Sequence, residues 1–97
     1  MNSQTQAYPM VEVEEILLED LVDIEESELV VFNDDFNTFE HVTKILVKVC
    51  HHSPEQAEQC TLIIHYKGKC AVKKGSREKL KPMCRAILDA GIQAAVL

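Results

Sequence analysis

The 97-residue chain has no tryptophan, three glycines and three prolines, and only 5% of its residues are aromatic. Aliphatic side chains must therefore carry the packing of any core. The four cysteines, Cys50, Cys60, Cys70 and Cys84, show no CxxC or CxH spacing, which excludes a zinc knuckle. The chain lacks a GxGxxG, a phosphate-binding loop and an HExxH pair, so the usual nucleotide and zinc-hydrolase signatures are missing. It also lacks an apolar window long enough to cross a membrane, and its start, Met1-Asn2-Ser3-Gln4, has no basic segment leading into an apolar one. A soluble, non-exported chain is expected, with reduced cysteines and a cytoplasmic location. Basic residues are absent up to Lys44.

That last absence divides the chain. Residues 1–28 hold nine acids (Glu12, Glu14, Glu15, Glu19, Asp20, Asp23, Glu25, Glu26, Glu28) and no base. Residues 29–97 hold all ten bases and seven acids, so the net charge of −6 is the sum of a mildly basic domain and an acidic arm. A net negative charge argues against nucleic acid as a partner. The arm, residues 1–28, interleaves its acids with Val11, Val13, Ile16, Leu17, Leu18, Leu21, Val22 and Ile24. It reads either as a solvated, flexible flank or as a segment that docks on a partner. The length allows one domain, and an apolar fraction of 46% supports a small core without a deep catalytic cavity.

Residues 29–32, Leu-Val-Val-Phe, are a short strand stopped by Asn33-Asp34-Asp35. A helix follows, with Asn37 and Glu40 as a capping box and Phe39, Val42, Ile45, Leu46 and Val49 as its apolar stripe. His51-His52 closes it, where histidines suit the helix dipole. Ser53-Pro54-Glu55-Gln56 starts a second helix: a cap, a proline in the first turn and the box residue. Its stripe is Ala57, Cys60, Thr61 and Ile64, with His65 on the same face and Gly68 as the terminator. Lys69–Lys73 reads as a strand. A third helix after Gly75-Ser76 carries Leu80, Met83, Cys84, Ile87 and Leu88, and Pro82 requires it to start late or bend. Gly91 ends it and residues 92–97 form a last strand. The order β-α-α-β-α-β predicts an α+β two-layer sandwich, three helices on one face of a three-stranded sheet. Cys50, Cys60 and Cys84 fall on the stripes and are expected to be buried.

Two runs carry chemistry. Asn33-x-Asp35-x-Asn37 opens like a calcium loop but has Thr38 where glycine is needed and Lys44 in place of the final glutamate, so no metal is expected. Asn33-Asp34-Asp35 and His65-Tyr66-Lys67-Gly68 place an amide, a carboxylate and an imidazole at two element ends. Three acceptors converging on a point suit an ammonium, which has three donors. Each run also has an ordinary reading, as a cap with a turn and as a core histidine. A Cys–His enzyme would need a cysteine in a helix-start or basic setting, which none of the four has.

The chain resembles the ClpS family, adaptors of Clp-type AAA+ proteases that recognise N-degrons. The resemblance covers about residues 29–97. It rests on Asn33-Asp34-Asp35 after an apolar strand, the helix beginning near Phe39, and Ile64-His65-Tyr66-Lys67-Gly68-Lys69 closing the second helix. It implies a fold similar to the C-terminal domain of a ribosomal stalk protein, and a monomeric, cofactor-free, non-enzymatic adaptor. By the resemblance, Asn33, Asp34 and His65 would hold the α-amino group of a substrate's first residue, and Asp35, Asn37, Phe39, Val42, Thr61 and Ile64 would shape the slot for its side chain. Substrates would begin with Leu, Phe, Tyr or Trp. The partner would be the N-terminal domain of a Clp-family AAA+ unfoldase, contacted through Glu78. The chain departs from the family pattern at Phe39 and Thr61, usually methionines, at Asn37-Thr38, usually Thr-Pro, and at Met83, usually a lysine. The competing expectation is an interaction module of the same fold with no amine site.

Overall fold

The computed structural model describes residues 26–97. The acidic arm up to residue 25 lies outside the described residues. The elements are β1 (Ser27–Phe32), α1 (Phe39–Cys50), α2 (Pro54–Lys67), β2 (Lys69–Gly75), α3 (Arg77–Asp89) and β3 (Ala94–Val96). The sheet is antiparallel with order β2-β1-β3, and the three helices pack on it. This is the expected β-α-α-β-α-β architecture. The core gathers Leu29 and Val31 from β1, Leu46 and Cys50 from α1, Ala57 and Ile64 from α2, Val72 from β2, Leu80 and Ile87 from α3, and Ile92.

β1 begins at Ser27, two residues earlier than the apolar run suggests, because Glu28 exchanges both backbone hydrogen bonds with Leu97 at 2.8 Å. Opposite β2, Leu29 faces Lys73 but Val30 faces Ala71. Val72 is the extra residue of this bulge, and bulging sends it and Lys73 toward the helices. Val72 joins the core, and the Lys73 ammonium donates to the Cys50 carbonyl at 3.1 Å, satisfying the end of α1.

The cap of α1 is Thr38 and not Asn37: the Thr38 hydroxyl accepts from the His41 amide at 3.1 Å. Asn37 is engaged elsewhere. Val42, Leu46 and Cys50 form the buried line of this helix, while Phe39 at its start is 40% exposed. The two histidines after it do different work. His51 is the left-handed cap at φ 60°, and His52 is buried with Nε2–H donating to the Val72 carbonyl at 2.8 Å.

α2 starts as expected, with the Ser53 hydroxyl accepting from the Gln56 amide at 3.1 Å. It ends at Gly68, φ 93°, whose amide donates to the Ile64 carbonyl at 2.9 Å. Cys60 lies beside its buried line and is half-buried, against expectation. α3 starts at Arg77 from a Ser76 cap, not later, so Pro82 stands inside the helix and leaves the Glu78 carbonyl without its usual donor. Leu88 falls off its buried line. The last strand is shorter than expected, because Ile92 leaves the turn to fill the core. All four cysteines are free thiols. Burial pushes Cys50 up to about 11, and burial together with the neighbouring Cys60 thiol does the same for Cys70.

A candidate binding groove at the end of the central strand

β1 and β2 run antiparallel with Phe32 opposite Lys69, so the chain leaving β1 must pass the residues that close α2. The Asn33 amide donates to the Gly68 carbonyl at 2.9 Å, and on the other flank the Phe32 amide donates to the Gln93 carbonyl at 3.0 Å. The first bond brings the runs 33–35 and 65–68 together, although thirty residues and two helices separate them in the chain, and the second ties the end of β1 to the segment before β3. Only the left-handed conformation of Gly68 lets α2 stop and β2 begin within one residue.

Between this loop, the first turns of α1 and the last turns of α2 lies a groove of about 410 Å³. Its lining contains Asn33, Asp34, Asp35, Asn37, Phe39, Val42, Thr61, Ile64 and His65, all nine residues that the sequence singles out around the two runs, and in addition Thr38. Glu78 is not among them: it is exposed in the first turn of α3. Val42, Thr61 and Ile64 form the buried wall, while Phe39 and His65 are open to solvent at the mouth. His65 meets the ring of Tyr66 edge-on, with centroids 5.1 Å apart.

Asp34 is fixed by its own loop. Asp34 Oδ1 accepts from the Phe36 amide at 2.8 Å and from the Asn37 amide at 2.7 Å. Its Oδ2 accepts from the Asn37 side chain at 2.6 Å. The Asn37 backbone and side-chain bonds hold the Asp34 carboxyl below its ordinary value of 3.8, with Phe36 and the nearby His41 adding smaller effects. A carboxylate has about four acceptor sites, so Oδ2 keeps one for an external donor.

Thr61 behaves differently from a free hydroxyl. Its Oγ1 donates to the Ala57 carbonyl at 2.8 Å and accepts from Thr43 at 2.9 Å, and neither partner lines the groove. Thr61 thus gives the groove a small wall whose donor is already used. The role of Thr43 has no local signal, since it depends on a partner 18 positions along the chain. Among the described residues no group of three His, Cys, Asp or Glu side chains is placed to hold a metal ion, and no helix is long and apolar enough to cross a membrane.

A family model described as the ATP-dependent Clp protease adaptor protein ClpS matches residues 24–95. An ATP-dependent Clp protease adapter protein ClpS from Thermosynechococcus vestitus is 36% identical over 70 residues, covering 71% of this chain and 74% of that protein. A protein of the same name from Nocardia farcinica is 35% identical over 67 residues, covering 69% of this chain and 63% of that one. Among solved structures, Agrobacterium tumefaciens ClpS2 bound to L-phenylalaninamide superposes with a TM-score of 0.65 at 22% identity, covering 74% of this chain and 94% of that chain, a likeness of fold. With two thirds or more of the chain matched by sequence and the fold shared, the protein belongs to the ClpS family, non-enzymatic adaptors of the ATP-dependent Clp protease.

Proposed function

We propose that the groove receives the N-terminal residue of substrate proteins whose first side chain is bulky and hydrophobic, Leu, Phe, Tyr or Trp, and that the protein delivers them to a Clp-family AAA+ unfoldase. The observation that carries this is the convergence of nine residues from two distant segments on one groove. Asn33, Asp34 and His65 supply an amide oxygen, a carboxylate and a neutral imidazole nitrogen, one acceptor for each donor of an ammonium. Phe39, Val42, Thr61 and Ile64 form the slot for the side chain, and Asp35 and Asn37 border it. Filling such a slot contributes about 1.5–3 kcal/mol. The Agrobacterium tumefaciens relative is bound to L-phenylalaninamide, a molecule with a free α-amine and an aromatic side chain. Glu78, on the exposed start of α3, is the proposed contact with the unfoldase N-terminal domain. The protein acts in the cytoplasm as a monomer, without cofactor, nucleic acid or membrane.

Calorimetric titration with peptides differing only in their first residue tests this. Free Leu, Phe, Tyr or Trp termini are expected to bind, and their acetylated forms to lose most of the affinity, because acetylation removes the charge and two donors. Binding that ignores the first residue and its acetylation would overturn it.

A further inference from the structure

Asn37 lies at the groove, yet its side chain is not free to contact a ligand as a donor. Its Nδ2 donates to Asp34 Oδ2 at 2.6 Å and to the Gly91 carbonyl at 2.9 Å, which uses both amide protons. Its backbone amide donates to Asp34 Oδ1 at 2.7 Å. One residue thus holds both oxygens of the carboxylate and ties them to the turn between α3 and β3. That turn is gripped a second time, by His41 of α1, whose Nε2–H donates to the Ala90 carbonyl at 2.9 Å. Gly91 itself is left-handed at φ 86°, a conformation that presents its carbonyl while ending the helix.

We propose that Asn37 is a positioning residue: it orients the Asp34 carboxylate toward the substrate ammonium and makes that orientation depend on the α3–β3 turn. This rests on the proposed amine-binding role of the groove. A carboxylate can rotate about its bond to Cβ, and three donors spread over its two oxygens leave a single acceptor direction, which is what recognition of an ammonium requires. Without the Asn37 side-chain amide the carboxylate would keep only its two backbone donors on Oδ1, and nothing would hold Oδ2. His41 on α1 is the titratable group that acts on Asp34, Asp35 and His65 line the same groove, and none of the three changes in the variants below.

The test uses the full chain. Carbon-13 NMR of the Asp34 side-chain carboxyl reads its titration directly, in the wild type and in Asn37→Ala. The midpoint is expected to move up in the variant. Binding of a free-amine Phe peptide is expected to fall about tenfold in Asn37→Ala. The double variant Asp34→Ala/Asn37→Ala is expected to bind no more weakly than Asp34→Ala alone, since Asn37 acts through Asp34. Asn37→Leu keeps the size and removes the donors without adding a charge, so a comparable loss there shows that the effect of alanine is not a hole in the loop. An unmoved midpoint, or losses that simply add, would overturn the proposal. If the wild type shows no preference for a free amine, the proposed function falls, and the carboxyl midpoint alone then decides the role of Asn37.

Discussion

The Asp34 carboxyl is held below its ordinary value because Asn37 and Phe36 donate to it from within one loop. Its folded-state value lies below the ordinary 3.8, so the stability drawn from these bonds is complete above 3.8 and is lost as the pH falls through the folded value. Asp34→Asn keeps the size and removes the charge. The stability difference between wild type and this variant, from urea unfolding at a series of pH values, is expected to be constant above that range and to shrink on acidification. A difference independent of pH would mean the carboxylate does not sense its donors. At this scale the sequence was informative about which residues matter and less so about how. Asn33, Asp34 and His65 stand out as types with the right chemistry. Asn37, read as a cap and a slot residue, turns out to hold Asp34, because its second partner, Gly91, is 54 positions away.

α2 was the most legible element, because its signals are local: Ser53, Pro54 and Gln56 at one end and Gly68 at the other. The local pattern starts α1 one residue early, since Asn37 and Thr38 are both able caps and the bonds that Asn37 makes elsewhere decide between them. Pro82 inside α3 ran against the local rule as well, and packing of Leu80, Cys84 and Ile87 on the core keeps the helix in place across it. Gly68 links an element to the groove. No atom lies within 4 Å of where a Cβ would stand, so alanine there would meet no clash, only the left-handed backbone at φ 93°. Gly68→Ala is therefore expected to cost about 1–2 kcal/mol in thermal or urea unfolding. It should also weaken peptide binding, because the Gly68 carbonyl holds Asn33 and the preceding turn carries His65. Full stability with unchanged binding would show that another residue type accepts this corner.

Over the whole molecule, periodicity disclosed the order of elements and most of the core, while the pairing of strands was not readable. The order β2-β1-β3 and the bulge at Leu29 and Val30 depend on contacts between segments far apart in the chain. Leu46 lies at the centre of the packing, 1% exposed. Leu46→Ala is expected to cost about 2–5 kcal/mol, a large share of the stability of so small a domain. The midpoint in urea should fall with an unchanged slope. A cost below about 1 kcal/mol would mean that the helices close over the space.

The position of β1 has a further consequence, in time. Of the described elements it is the first to be synthesised, and it is the centre of the sheet, with β2 on one side and β3 on the other. Leu29 must wait for Val96 before its second edge is paired. During synthesis β1 and β2 can join with α1 and α2 between them, which already assembles both runs of the groove. The two anchors on Gly91 and Gln93 arrive only with the last elements. The groove should thus be outlined early on the ribosome and locked late, with β1 exposing one unpaired edge until the chain is nearly complete.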